Sequence, residues 1–402
     1  MIAMALVTII VAIIASLFMA WALGASSNSP PFAPAVGANA LPTMRAAFLI
    51  GIFAGAGALL QGGSISKTVG TGLIQNAQIT PLAATAGLLT AATFIAVGVR
   101  TGYPIPAAFA VTGAMIGVGL SLGGDPAMAT YRRIGIFWAL VPVVSSIIAY
   151  STATLLRHDR IPEQIGIALL GGIVGTIVAN ISLSIVPVPG RQQASLARYI
   201  SVTSGIESPT LLGGYDFLMA LVSVALGVIV FAVLYRRLAD SIDAGTREFL
   251  IGLGALVAFS SGGSQVGLAT GPLETLFTTQ LEISGIYLLG LGAIGILSGA
   301  WMGAPRLLQA VAREYSQLGI RRSIAALVPG FIIAQTAITL GIPISFNNII
   351  ISSVIGSGLV EGRAGVSARK ILFTLGAWLT SLVSATAIGF GLYRVLAIVT
   401  GA

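Results

Sequence analysis

Cysteine is absent from this chain and histidine occurs once. The first absence excludes a disulfide framework and any thiolate metal site. The second leaves no His-Glu-x-x-His pattern, and a Ser–His dyad would rest on His158 alone. His158 sits in an Arg/Asp-rich loop and reads as a solvated surface residue. Charge is scarce as well: Asp, Glu, Lys and Arg make up 8% of the chain, against roughly 25% in soluble domains. That shortfall excludes a one-domain soluble protein. The P-loop spacing is also missing, which argues against ATP hydrolysis by this chain. With no catalytic His, acid or metal-ligand set, the sequence is not that of an enzyme.

What is abundant points to lipid. The hydrophobic set accounts for 56% of the residues, and there are 51 glycines, which let helices approach closely in a bilayer and permit interrupted helices. The net charge of +8 is dispersed over Arg132-Arg133, Arg157 to Arg160, Arg236-Arg237 and Arg321-Arg322. Charges so spread mark the ends of membrane spans rather than a nucleic-acid stripe. The expected fold class is therefore an all-α polytopic membrane protein. Apolar runs fall at roughly 2–23, 44–61, 82–99, 103–122, 134–156 and 164–186, then at 217–235, 249–270, 284–302, 323–340, 344–360 and 371–396. These predict about 12 transmembrane or re-entrant helical segments. Ile2 to Leu23 lacks a positive leader and is long enough to span about 30 Å of hydrocarbon, so it is expected to be a retained first helix. Runs 44–61, 82–99, 103–122 and 344–360 are short and rich in Gly and Pro. Short, interrupted segments at matching places in two halves point to a transport site.

Two motifs recur at nearly one spacing. Gly102-Tyr-Pro-Ile-Pro-Ala-Ala-Phe109 and its continuation to Leu120 align with Gly341-Ile-Pro-Ile-Ser-Phe-Asn-Asn348 and its continuation to Leu359. Gly102, Pro104, Ile105, Ile116, Gly117, Gly119 and Leu120 recur 239 residues later (341 less 102). Upstream, Gly24-Ala-Ser26 and Pro34 recur as Gly262-Gly-Ser264 and Pro272, 238 residues later (262 less 24). The chain accordingly divides into a first repeat at 1–160, two linking spans with a central polar stretch at 161–247, and a second repeat at 248–402. Seven expected crossings separate the repeat starts, and an odd number inverts the second repeat. The basic loops Arg100, Arg157 to Arg160, Arg236-Arg237, Arg306 to Arg322 and Arg363 to Lys370 then lie in the cytoplasm if both termini are extracytoplasmic. Val186 to Tyr215 is polar and is expected to join the halves as an extramembrane loop.

The duplicated segments resemble signatures of the inorganic phosphate transporter (PiT) family, which carries a Gly-Ala-Asn-Asp-Val-Ala-Asn-like sequence once per half and a later Pro-x-Ser-Thr-Thr-His segment. Here the first signature reads Gly24-Ala-Ser-Ser-Asn-Ser-Pro30 and the second Phe259-Ser-Ser-Gly-Gly-Ser-Gln-Val266. The later segments read Pro104-Ile-Pro-Ala-Ala-Phe109 and Pro343-Ile-Ser-Phe-Asn-Asn348. Order, spacing and duplication match over nearly the whole chain, while the letters diverge. The resemblance implies a midplane oxyanion site where interrupted helices of the two repeats meet. The physics suits these residues independently. Helix ends offer unpaired N–H groups to an anion, small residues let the backbone approach it, and hydroxyl and amide groups add neutral donors. The candidate substrate-binding residues are Ser26, Ser27, Asn28, Ser264, Gln265, Ser345, Asn347 and Asn348, with Ala107 and Ala108 contributing backbone alone. Ser and Asn that merely glue helices together are the competing reading.

The departures from the signature carry chemical consequences. The motif aspartates align with Ser27 and Gln265, the motif asparagines with Ser26 and Ser264, and an acidic residue of the second helix with Ala54. Sodium sites built on carboxylates are thus missing, although carbonyls and hydroxyls bind sodium with less attraction. The coupling cation, sodium or proton, stays open. Divalent phosphate keeps one hydroxyl that a carboxylate accepts well, and sulfate keeps none, so local chemistry leans toward sulfate while the resemblance says phosphate. The expectation is a secondary transporter of a tetrahedral oxyanion, phosphate ahead of sulfate, with a passive anion channel as the alternative. A homodimer is expected only from the habit of such proteins to self-associate. Glu274, three residues past Gly271, reads as an interfacial carboxylate at a helix end, and Gly62-Gly-Ser-Ile-Ser-Lys67 as a helix end, with a phosphate cradle as the alternative.

Overall fold

The computed structural model describes residues 2–101, 105–158, 160–191, 193–211, 213–315, 319–361 and 368–401. Gly102 and Pro104 of the repeated motif, and the greater part of Arg363 to Lys370, lie outside the described residues. The chain is nearly all helix. The first series is α1 (Ile2–Ala25), α2 (Ala33–Gly37), α3 (Thr43–Gln61), α4 (Gly63–Thr71), α5 (Pro81–Thr101), α6 (Ala107–Ser121) and α7 (Met128–Leu156). Then follow α8 (Glu163–Val178), α9 (Leu196–Thr203) and α10 (Phe217–Asp240). The second series is α11 (Ile242–Thr270), α12 (Gly285–Met302), α13 (Ala304–Tyr315), α14 (Ile320–Thr339), α15 (Phe346–Gly358) and α16 (Ala368–Thr400). A two-residue antiparallel pair, Ile74–Gln75 against Asp125–Pro126, ties the loop after α4 to the loop after α6.

All twelve apolar runs fall on helices, because in hydrocarbon a backbone must bond to itself. Among the described residues nine helices are long and apolar enough to cross a membrane, so this is a multi-pass membrane protein. Their outward faces stay apolar, as at Val7, Ile10 and Ile14 of α1 and Val224, Val228 and Val233 of α10, all of them exposed. Three of the twelve are shorter. The 15 residues of α6 and 13 of α15 reach about 22 Å and about 20 Å at 1.5 Å per residue, less than the hydrocarbon thickness. Both are buried over nearly their whole length, inside protein rather than lipid. The third, α8, packs along α10.

The element order of the first series recurs in the second, α3 to α7 matching α12 to α16. Contacts between the two series are reciprocal: α1 packs on α12 as α11 packs on α3, and α6 on α16 as α15 on α7. Such an exchange of partners is what a two-fold relation produces. Glycine marks the closest crossings. A Cβ on Gly24 would stand 2.1 Å from the Ile296 carbonyl oxygen, and one on Gly299 2.0 Å from that of Trp21. In the partner crossing, a Cβ on Gly262 would stand 1.8 Å from the Ala54 oxygen, and one on Gly57 1.8 Å from that of Phe259. The helices therefore touch backbone to backbone, in the manner of small-residue interfaces in lipid.

The central stretch is more ordered than a plain loop. It contains α9, capped by the Ser195 hydroxyl accepting from the Arg198 N–H, and the Ala197 N–H donates to Ala179 O at the end of α8. Ser201 donates to Asp216, whose other oxygen caps α10 through the Met219 N–H.

Candidate functional site

The first signature is a helix break. α1 ends at Ala25, and Ser26, Ser27, Asn28 and Ser29 follow with no exposure at all. Pro30 and Pro31 cause the break, since neither has an N–H for the carbonyl four residues back. Those carbonyls belong to Ser26 and Ser27. Ser26 O accepts instead from the Ser29 N–H (3.2 Å), and Ser27 O accepts from the Ser261 hydroxyl (3.3 Å). The second signature departs from this. Leu268 and Ala269 stand where the prolines stand in the first, so α11 runs unbroken through Ser264 and Gln265 to Thr270, and its turn comes only at Gly271–Leu273. The two signatures are thus not a pair of broken helices: one is a break and the other lies in the buried last turns of a continuous helix.

The ends that present N–H groups come from elsewhere. α6 begins at Ala107 and α15 at Phe346, neither with a side-chain cap. The first turn of α6 is closed by Phe109 and Ala110 donating to Pro106 O, and that of α15 by Asn348 and Ile349 donating to Ser345 O. The N–H groups of Ala107, Ala108, Phe346 and Asn347 precede those bonds and have no intrahelical acceptor. All four residues are fully buried. Two helix N-termini, with the positive ends of their dipoles, therefore face the interior.

Hydrogen bonds draw the four segments together. Ser261 of α11 reaches the α1 break, Gln265 Nε2 donates to Ile344 O beside Ser345 (3.3 Å), and Asn347 Nδ2 donates to Ile105 O just before α6 (2.9 Å). An aromatic clamp fixes the two short helices: the Phe109 ring stacks on Trp138 with centroids 3.8 Å apart, and Trp138 Nε1 donates to Pro343 O (2.7 Å). Phe109 stands where the resembling signature has a histidine, and here it packs instead of bonding.

Every hydroxyl and amide side chain expected at the site is buried and keeps one polar atom without a partner. These are the hydroxyls of Ser26, Ser27, Ser264 and Ser345, Oδ1 of Asn28, Asn347 and Asn348, and Oε1 of Gln265. For Asn28, Gln265 and Asn347 the amide nitrogen already donates to a backbone carbonyl, which fixes the free atom as the oxygen. Unpartnered buried polar atoms cost about 1–3 kcal/mol each, and eight of the fifteen such side-chain atoms among the described residues lie on these four linked segments. The set combines donors (hydroxyls and N–H groups) with carbonyl acceptors and carries no formal charge. Among the described residues no group of three His, Cys, Asp or Glu is placed to hold a metal ion. Ala54, the aligned position of the missing acid, is buried in the α3–α11 crossing.

A neighbouring network escapes sequence reasoning. Gln61 at the end of α3 donates to Gln335 of α14 (2.8 Å), which donates to Ser260 of α11 (2.6 Å), one residue from Ser261. Gln335 also lines a cavity of about 550 Å³ between α8, α10 and α14, whose polar wall is Asn180, Tyr215 and Ser223. The signal available was an isolated amide in each of two apolar runs. Ser261 itself lay inside the quoted signature.

Comparison with known proteins bears on the family and the fold. A protein of Thermococcus kodakarensis named "putative phosphate permease" is 22% identical, the match covering 97% of this chain and 98% of that one. A namesake from Helicobacter pylori (strain J99) is 25% identical over 88% of this chain and 69% of its own length. A solved structure named "The sodium-dependent phosphate transporter" shares the fold, with a TM-score of 0.81 at 21% identity, covering 98% of this chain and 100% of its own. The model of the phosphate transporter family matches residues 23–389, from the last turn of α1 into α16. The chain belongs to the phosphate transporter family.

Proposed function

We propose that this chain is a secondary transporter carrying inorganic phosphate across the membrane, held between the α1 break, the C-terminal part of α11 and the N-termini of α6 and α15. The observation that carries this reading is the set of eight buried, unpartnered side-chain atoms on four segments tied together by hydrogen bonds. Serine hydroxyls and the N–H groups of Ala107, Ala108, Phe346 and Asn347 supply donors to the phosphate oxygens. The amide oxygens of Asn28, Gln265, Asn347 and Asn348 need hydrogens or a cation, and the hydroxyl of divalent phosphate brings one hydrogen. Sulfate brings none and would leave those acceptors bare at a cost, so the acceptor surplus favours phosphate over sulfate, as the family does.

Alternating access follows from the two-fold exchange of contacts, with repeats at 1–160 and 248–402 moving against each other around the site and 161–247 linking them. An inverted second repeat with both termini extracytoplasmic keeps most basic loops in the cytoplasm. The coupling cation is sodium or a proton. A sodium ion in the site would be held by carbonyl and hydroxyl oxygens without a carboxylate, and so less strongly. A homodimer is compatible with this reading, and the lipid-facing helices leave room for one. Counterflow tests the transporter reading: liposomes loaded with unlabelled phosphate should take up labelled phosphate faster than empty ones, with saturation. Uptake that rises linearly with phosphate and ignores internal phosphate would instead make the protein a passive channel.

A further inference from the structure

The proposed site carries no titratable side chain, so a protein group that binds a coupling proton lies outside it. Glu274 stands apart from the other acids whose side chains are described. Those are exposed, ion-paired as Glu163 is with Arg321, or capping as Asp216 is at α10. Glu274 is half-buried, one carboxyl oxygen lacks both solvent and a partner, and neither described ion pair includes it. It lies one residue beyond the apolar stretch Ile242–Leu273. Along the chain it is nine residues past Gln265, on the order of 14 Å at helical rise.

What links it to the oxyanion site is α4. This nine-residue helix packs on the turn Gly271–Leu273, closely enough that a Cβ on Gly70 would meet Gly271 O at 2.3 Å and Glu274 Cβ at 3.7 Å. Ser66 and Lys67 of α4 both bear on the Glu274 carboxyl and favour its charged form. One residue on, the Thr68 hydroxyl donates to Gly341 O (2.6 Å). Gly341, in the left-handed conformation at φ +65°, opens the short extended segment to Ser345. On that segment Pro343 O receives Trp138 and Ile344 O receives Gln265. One short helix thus holds a lone carboxylate on one side and the approach to α15 on the other.

We propose that Glu274 is the proton-binding residue of the transport cycle: it takes one proton from the aqueous face, and its neutral form loosens α4 and the Gly341–Ser345 segment. The proposal rests on the transporter reading above. The charged carboxylate attracts Ser66 and Lys67 of α4, and interactions with a charged partner are stronger than neutral ones, so adding the proton weakens the hold on α4. Burial pushes the Glu274 carboxyl above the ordinary carboxylate range, and the Ser66 hydroxyl and Lys67 ammonium pull the other way without cancelling it. The elements packed on the turn offer few other charges. α1 carries none, those of α11 (Asp243, Arg247 and Glu248) lie in its first two turns, and Arg100 of α5 lies in its last. On its own stretch, the exposed Glu282 follows eight residues later.

The test uses the purified protein in sodium-free liposomes, with two readings at each external pH. One is exchange of labelled phosphate at equal pH and concentration on both sides; the other is net uptake driven by an alkaline interior. Their ratio removes the titration of phosphate itself. The wild type should show a ratio that rises with external acidity, approaching tenfold per pH unit, the slope of one bound proton. Glu274→Gln should exchange phosphate but show a flat ratio, and Lys67→Ala should keep the slope with its midpoint moved to higher pH. A flat wild-type ratio, or a Glu274→Gln ratio that follows the wild type, overturns the proposal. If Glu274→Gln does not exchange at all, Lys67→Ala decides, and an unmoved midpoint overturns it. A wild type that exchanges no phosphate overturns the transporter reading itself.

Discussion

Gln265 is the side chain through which the C-terminal part of α11 meets the approach to α15, and Gln265→Leu removes both of its roles at similar size. The lost Nε2 donor leaves Ile344 O, fully buried, without that bond. A buried acceptor so orphaned costs about 1–3 kcal/mol in stability, enough to measure and too little to prevent insertion. The lost Oε1, unpartnered in the protein, is the acceptor offered to the phosphate hydroxyl. A hydrogen bond involving a charged partner contributes about 1.5–3 kcal/mol, and each 1.4 kcal/mol is about tenfold in affinity. Phosphate KM should therefore rise about tenfold to about a hundredfold. Sulfate has no hydrogen to give, so its inhibition constant should change far less, and the preference for phosphate should shrink by nearly the same factor. The assay is labelled phosphate uptake into proteoliposomes with sulfate as competitor, the inserted fraction being measured separately. A phosphate KM changed less than about twofold refutes the assignment. An equal loss for both anions would mean that Gln265 acts only by holding Ile344.

The crossing of α3 and α11 can be tested by adding one methyl group. Gly262→Ala puts a Cβ 1.8 Å from Ala54 O, and such overpacking costs about 1–3 kcal/mol, read as a lower melting temperature in detergent. Gly252→Ala on the same helix meets nothing within 4 Å and should leave the melting temperature unchanged or slightly raised; equal effects would refute the close crossing. Trp138→Phe keeps an aromatic face for Phe109 and deletes the 2.7 Å bond to Pro343 O. Maximal uptake should fall several-fold with normal insertion, whereas an unchanged rate would remove the clamp from the account. Returning carboxylates as Ser27→Asp with Gln265→Asp should give phosphate uptake a several-fold dependence on sodium, and a double variant as indifferent to sodium as the parent would show that the lost acids did not govern coupling.

The parts of the fold legible in the sequence were those dictated by lipid. A helix in hydrocarbon must be apolar over its length, so all twelve runs mark helices; of the four runs expected to be short, α6 and α15 are, whereas 44–61 and 82–99 belong to α3 and α5, which are long enough to span. The small helices α2, α4, α9 and α13 stayed hidden because they need no long apolar run. The α1 break lay in Pro30 and Pro31, a signal the signature alignment passed over, and treating the second signature as a copy concealed that Leu268 and Ala269 let α11 continue. The candidate residues were legible because Ser26, Ser27, Asn28, Ser264, Gln265, Ser345, Asn347 and Asn348 are polar residues set in duplicated, otherwise apolar segments. Ala107 and Ala108 were legible as backbone, once their helix was seen to start there. Gln61, Gln335 and the Trp138–Phe109 clamp were not, because each depends on a contact between distant segments that no local pattern announces.

The most direct measurement is uptake of labelled phosphate and labelled sulfate by proteoliposomes, each competed by the other, with and without a sodium gradient. Saturable phosphate uptake that excess phosphate abolishes and sulfate barely reduces is the expected result. Equal uptake of the two anions, or sulfate uptake insensitive to phosphate, would contradict the reading of a neutral, acceptor-rich phosphate site.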